Sequence, residues 1–379
     1  MSKKRILTWH PNKARGNGRW RKYVDGVVRY FGTAKSPNDN RAYREAERKY
    51  LEFMQKRETA LPVTIACSQA TISDVREKLL QDLNCRYERG DVSASYVEKA
   101  RCCLNDFIAY VGMRTRFASI GELILDEYRS HTLALPMSQK TGRRISPATA
   151  KDRLSMVHTV YRWAWKMRII DTLPRNLDGF AKVTIPKTEA KVFSLEEIHA
   201  LWNAADPRLR CWMALGLNCG YGQQDISDLR VDEVDWANGQ IDRLRSKSGV
   251  QAKHRLWDIT LDLMRGHRAP NTRNGDRIFI TKKGNPLVWG HITDGRLRQS
   301  DSVRCWFWRL QRELGINGGR GFYSLRRTGA TLIEQIDPAV TEMYLAHAER
   351  GMKQAYAQRD WERLGRAIVE LELRLELPP

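Results

Sequence analysis

Several features that would direct the function of this chain are missing from it. No apolar run among its 379 residues approaches the ~20 that a membrane-spanning helix needs. The opening MSKKRILTWHPNK has no apolar core of the kind a secretory leader carries. The seven cysteines are odd in number and include no Cys-x-x-Cys pair, which excludes a disulfide framework and a zinc finger and predicts buried thiols. No internal repeat, low-complexity tract or strongly amphipathic lipid-facing helix stands out, and no metal or cofactor motif does. Acidic residues are also short: 44 Asp and Glu face 65 Lys and Arg, a formal charge of +21. Such an excess favours a polyanionic partner through release of counterions from phosphates. Nucleic acid ranks first and an anionic membrane surface second; the expected location is the cytoplasm, associated with the nucleoid.

What is present reads as a multidomain chain, mostly α with small β elements. In RWRKYVDGVVRYFG, from residue 19, basic residues alternate with aromatic and aliphatic ones around Asp25-Gly26, the pattern of a β-hairpin closed by a tight turn. A helical pattern, NRAYREAERKYLEFM, follows, so residues 1–60 form a small module displaying Arg19, Arg21, Lys22 and Arg29, either toward DNA or simply toward solvent. A connector around 61–69 leads to a helical region at 70–172. There Val97, Ala100, Leu104, Phe107, Ile108 and Val111 make one apolar stripe, and Ala150, Leu154, Val157, Tyr161 and Ala164 another. Ser146 is a natural N-cap, with Pro147 at the first helical position. Lys151, Arg153, Arg162 and Lys166 are expected on the exposed side. After the linker PRNLDGFAKVTIPKTEAK, Ser194 and Glu197 form a capping box that opens a mixed α+β domain at 190–379, with short strands expected at GQIDRL, KHRLWDI and RIFITKKGN.

The last domain contains YSLRRT with Tyr323, Arg326 and Arg327, then YLAH ending at His347, then Tyr356 nine residues on. This order resembles the tyrosine recombinase (phage integrase) family, whose second box reads His-x-Leu-Arg-His-Thr, followed by Leu-Gly-His and a nucleophilic tyrosine nine residues later. LRSKSGVQAKHRLWDI is similar to the family's β-hairpin, with Lys247 in the place of its lysine. LNCGYGQQDISDLR is similar to its first box, Thr-Gly-x-Arg-x-x-Glu, with Asp225 in the Glu position. The resemblance implies an arm-type DNA-binding module at 1–60, a helical (SAM-like) core-binding domain at 70–172 and a catalytic domain at 190–379. It implies double-stranded DNA as partner, assembly into a homo-oligomer (a tetramer) on that DNA, an accessory directionality factor, and no cofactor.

The chemistry implied by the resemblance explains the residue types. Tyr356 would hold the cleaved strand as a phosphotyrosine, storing the bond without ATP or metal. Arg326, with its planar fork of donors, would stabilise charge on the non-bridging oxygens, and His347 would add a hydrogen bond. Lys247 would protonate the leaving 5′ oxygen. The chain departs from the family at Gly222 or Gln223, where the first-box arginine belongs, and at Tyr323, which replaces the second-box histidine and can still donate a hydrogen bond. Arg327, Arg230, Arg243, Arg245 and Arg255 are the candidates to supply the missing guanidinium. Two rival readings follow: a non-catalytic DNA-binding descendant, and a type IB topoisomerase. The tail RLGRAIVELELRLELPP, with Leu364, Ile368, Leu371 and Leu375 at helical spacing, packs either into a neighbouring protomer or onto its own domain.

Overall fold

The computed structural model describes residues 5–12, 16–24, 27–59, 69–138, 141–186, 189–245, 249–270, 272–293, 295–316, 318–347 and 359–378. The chain divides into two compact units, one comprising Met1–Lys187 with Gly290–Arg298, the other Thr188–Trp289 with Gln299–Pro379. No helix among the described residues is long and apolar enough to cross a membrane.

The first unit opens with a three-stranded antiparallel sheet, β1 (Thr8–Asn12), β2 (Asn17–Val24) and β3 (Val27–Ala34). The expected hairpin is the β2–β3 pair, in register from Gly18↔Ala34 to Val24↔Val27; its turn, Asp25-Gly26, lies outside the described residues. β1 is an additional strand that the alternation did not reveal. Helix α1 (Asn40–Thr59) covers one face, burying Trp20, Tyr43, Ala46 and Leu7 together. Arg19 and Arg29 are exposed, while Arg21 and Lys22 are half-buried; Arg19 stacks on Tyr30 and Arg29 on Phe53.

Helices α2 (Ile72–Glu88), α3 (Ala94–Val111), α4 (Glu122–Leu133), α5 (Pro147–Lys166) and the short α6 (Leu177–Phe180) build one apolar core. Both predicted stripes face it, although Ile108 and Val111 are only partly buried. The Ser146 hydroxyl accepts from the Thr149 amide, and Pro147 occupies the first turn. Arg153 corrects the expectation of an exposed basic row: its guanidinium is drawn to Asp106 at 2.8 Å and only 15% of its side chain is exposed.

The second unit starts where the capping box predicts it, at α7 (Leu195–Ala204). Glu197 closes the box on the Ser194 amide at 3.0 Å and also binds Arg320, so the helix start is tied to the segment ahead of the site. Helices α8 (Pro207–Asn218) and α9 (Gln223–Asp228) follow, then β4 (Val234–Asp235), β5 (Gln240–Leu244) and β6 (Gln251–Arg255) in one antiparallel sheet, and α10 (Asp258–His267). The expected strand at RIFITKKGN does not form. Residues 277–286 make only isolated bridges, Arg230↔Arg277 and Ile280↔Pro286, because the turn through Gly284 closes on itself within four residues. A two-stranded sheet, β7 (Val288–Thr293) and β8 (Arg296–Asp301), appears instead just downstream, and its residues Gly290–Arg298 belong to the first unit. Helices α11 (Ser302–Glu313), α12 (Tyr323–Ile336), α13 (Thr341–Tyr344) and α14 (Trp361–Leu375) complete the second unit.

The tail helix α14 lies on its own unit, burying Leu364, Ile368, Leu371 and Leu375. Two indoles tie it down: that of Trp257 donates to Ile368 O within the helix at 2.9 Å, and that of Trp202 to Pro378 O just beyond it at 2.8 Å. The thiols correct another expectation. Cys103, Cys211 and Cys219 are buried, but Cys85, Cys102 and Cys305 are exposed.

Candidate active site

Arg326 sits in the first turn of α12, on the face that also carries Leu325 and Gly329 into the core, so its side chain is carried inward and the residue is only 2% exposed. Backbone carbonyls hold it there: Nη1 donates to Gly220 O, and Nη2 donates to Leu345 O at 2.6 Å. Tyr344 packs beside them. Its ring is wedged against Gly220 and Gly329, where an added Cβ would meet it at 2.8 Å and 2.0 Å, and its hydroxyl donates to Leu217 O at 2.5 Å. Gly220 adopts the left-handed φ of +60° that this close approach requires.

His347 follows α13. Its Nδ1 lies 3.0 Å from the Glu342 carboxylate and its Nε2 3.3 Å from Arg326 Nη2. A carboxylate only accepts and a guanidinium only donates, so the assigned tautomer carries its proton on Nδ1 and turns the Nε2 lone pair to Arg326. Tyr323 is 42% exposed, with its ring 5.9 Å from the Arg326 guanidinium carbon and 5.6 Å from that of Arg327. The structure thus brings together Arg326, His347 and Tyr323. The other two expected residues, Lys247 and Tyr356, lie outside the described residues. Lys247 belongs to the stretch joining β5 to β6, and Tyr356 is three residues before Arg359, whose guanidinium donates to Gln251 O at 2.6 Å on β6.

Gly222, at the place of the family's first-box arginine, caps α9. Its amide donates to Asp225 Oδ2 at 3.0 Å, and a Cβ there would meet the Tyr323 ring at 3.3 Å. Asp225 is buried and grips a different arginine: Arg245, at the end of β5, reaches Oδ1 through Nε at 3.1 Å and Oδ2 through Nη2 at 3.2 Å. Burial by itself would raise the Asp225 pKa, but the bonds and charge of Arg245, the Gly222 amide and the charge of Arg326 hold it below the usual carboxylate value. A further donor of Arg245, Nη1, points to Leu345 O at 3.4 Å, the same carbonyl that Arg326 uses.

The remaining candidate arginines are engaged elsewhere. Arg243 is buried and divided between Asp225 O at 2.8 Å and Glu233 at 3.4 Å; Arg230 donates to Gly275 O; Arg255 and Arg327 are exposed. Among the described residues no carboxylate lies within ion-pair distance of Arg326. Its pKa is pushed down, first by burial and then by the Arg245 charge, and both effects make an anion a favourable occupant of this place.

His254 escaped the sequence reading, although the alternation of β6 already turned Ala252 and His254 inward. It lies wholly buried behind the site with Nε2 3.0 Å from Tyr344 O, so Nε2 carries the proton. Burial lowers its pKa from 6.5 to about 4, and the ring is neutral at physiological pH.

The first unit is helical with a small sheet module, and in the mixed second unit α12 presents a buried arginine beside a β-hairpin and a histidine. Residues 191–363 match the model described as the phage integrase family. No curated protein matches it. Among solved structures, a lambda integrase dimer bound to a COC′ core site is similar at 16% identity and a TM-score of 0.55, covering 94% of this chain and 97% of that one. A lambda integrase tetramer bound to a Holliday junction is similar at 15% identity and a TM-score of 0.54, covering 93% and 97%. The Tn1549 transposon integrase in complex with a circular intermediate DNA gives 13% identity and a TM-score of 0.52, covering 79% of this chain and 98% of that one. At these identities the likeness is one of fold.

Proposed function

We propose that this chain carries out site-specific recombination of duplex DNA, cutting and rejoining strands through a 3′-phosphotyrosine on Tyr356. The observation that carries the reading is the Arg326 guanidinium, buried, held by Gly220 O and Leu345 O, facing His347, and without a carboxylate partner among the described residues. A buried cation left in this state calls for an anion, and a phosphodiester has the matching charge and oxygen spacing.

In the forward step the Tyr356 hydroxyl gives up its proton to water and its oxygen bonds to phosphorus as the bond to the 5′ oxygen breaks. Lys247 gives that oxygen its proton. Arg326 takes up the charge on the non-bridging oxygens, His347 holds the guanidinium in place, and Tyr323 adds a hydroxyl at the rim. Attack by the 5′ hydroxyl of another strand reverses these events and releases the tyrosine, so bond energy is conserved and neither nucleotide nor metal enters the step. Residues 1–60 would bind arm-type sites, 70–172 the core site, and 190–379 would perform the chemistry. The excess of +21 suits DNA as partner. The lambda integrase structures are of a dimer and a tetramer on DNA, and we extend self-association on DNA to this chain, with a directionality factor as a further partner and the nucleoid as the site of action.

The test is covalent trapping. Protein incubated with fragmented source DNA and denatured in detergent retains a covalently attached strand, and sequencing that strand reveals the target. Tyr356→Phe should abolish the adduct while leaving ordinary DNA binding intact. An adduct that persists in Tyr356→Phe, or DNA binding with no adduct from the unaltered protein, would refute the assignment.

A further inference from the structure

We propose that Arg245 is a second catalytic guanidinium, contacting the scissile phosphate from the β-hairpin in place of the arginine absent at Gly222. The inference rests on the strand-transfer reading above. A five-coordinate phosphorus carries charge on two non-bridging oxygens, and a single guanidinium that spends donors on two carbonyls is poorly placed to serve both. Arg245 and Arg326 converge on one atom, Leu345 O, at 3.4 Å and 2.6 Å. Of these two guanidiniums that meet on one carbonyl, only Arg245 has a carboxylate in ion-pair contact, Asp225. Like charges packed this closely are relieved by a further anion, and a phosphodiester between them supplies it.

The geometry leaves Arg245 free to serve. Nε and Nη2 are fixed on Asp225, which sets the plane of the guanidinium. The Nη1 contact at 3.4 Å is the weakest it makes, and a phosphate oxygen can replace it without disturbing the others. Asp225 therefore acts as a positioning residue, aiming a guanidinium that arrives from β5 instead of from the start of α9. The other candidate arginines fail on placement: Arg243 has both ends bound, Arg230 is drawn to Gly275, and Arg255 and Arg327 face solvent.

A purely structural role, in which Arg245 only neutralises Asp225, predicts a different response to the charge of the substrate. The test measures single-turnover adduct formation at Tyr356 on ordinary DNA and on DNA whose scissile phosphate carries a methyl group in place of one non-bridging oxygen, which removes its charge. Arg245→Ala should slow trapping on ordinary DNA by roughly 10²–10³-fold, the range seen when one oxyanion donor is removed. On the neutral substrate it should trap within about tenfold of the unaltered protein, because less charge develops there to be stabilised. The double variant Asp225→Asn with Arg245→Ala leaves no orphaned buried carboxylate and should give the same pair of results even where the single variant folds poorly. Wild-type trapping of ordinary DNA by these variants, or an equal deficit on both substrates, would overturn the proposal. Absence of a Tyr356-dependent adduct from the unaltered protein would instead overturn the strand-transfer reading, and this inference with it.

Discussion

The two units place their polar side chains in opposite ways. In the first, Thr132 is the sole buried polar side chain among the described residues, and ion pairs such as Lys99–Asp152 and Arg162–Asp178 lie out in solvent. In the second, Asp225, Arg243, His254 and Arg326 are all buried, together with six neutral polar residues. Desolvating charge is costly and is tolerated where it is compensated or used. The first unit spends its interior almost wholly on apolar packing, whereas the second gives up part of its core to a cluster of charged side chains.

That contrast can be broken most sharply at Arg326. Replacing it by Ala should lower the adduct-forming rate by roughly 10²–10³-fold, about 3–4 kcal/mol of transition-state stabilisation. Arg162→Ala, across an exposed pair in the first unit, should leave the rate unchanged in the same trapping assay. His254 sharpens the contrast through pH. Its folded pKa of about 4 lies below the ordinary 6.5, so between those values the unfolded chain binds the proton and the folded one does not. Stability is thus full above about pH 6.5 and falls as pH drops toward 4, by roughly 3 kcal/mol in all. Denaturant titrations at a series of pH values should show this loss, and His254→Gln should flatten that window. The smallest effect belongs to the solvated pairs: Lys99→Ala should change unfolding free energy by less than about 0.5 kcal/mol, since exposed pairs contribute little.

Sequence patterns disclosed the parts of the fold governed by local physics. The Ser146 cap, the stripe of α5, the Ser194–Glu197 box and the alternation of β5 and β6 all depend on neighbours within a turn or a strand pair. Likewise Arg326, His347 and Tyr323 were readable from the spacing of their motifs, and they do come together. Illegible features depend on partners far away in sequence. RIFITKKGN has a strand's composition but, among the described residues, no partner strand to complete a ladder, and β1 finds its partner from a stretch without clean alternation. Arg153 looks like a surface residue until Asp106, on another helix, is placed beside it. The grip of Asp225 on Arg245 spans twenty positions and depends on how the hairpin meets α9. Sequence proximity nominated five arginines equally; three-dimensional packing singled out one.

Tyr344, wedged between Gly220 and Gly329, has a consequence for genetics. Gly329 lies three residues along α12 from Arg326, carries no reactive group and touches no proposed substrate atom. Any side chain there would strike the Tyr344 hydroxyl, which an added Cβ meets at 2.0 Å, and push the following residue, Leu345, off the carbonyl position that orients both guanidiniums. In a screen for loss of recombination, even Gly329→Ala should therefore score among the active-site alleles. Suppressors of it should arise at Tyr344 by trimming the ring, a pairing that nothing in the motif spacing would lead a geneticist to expect.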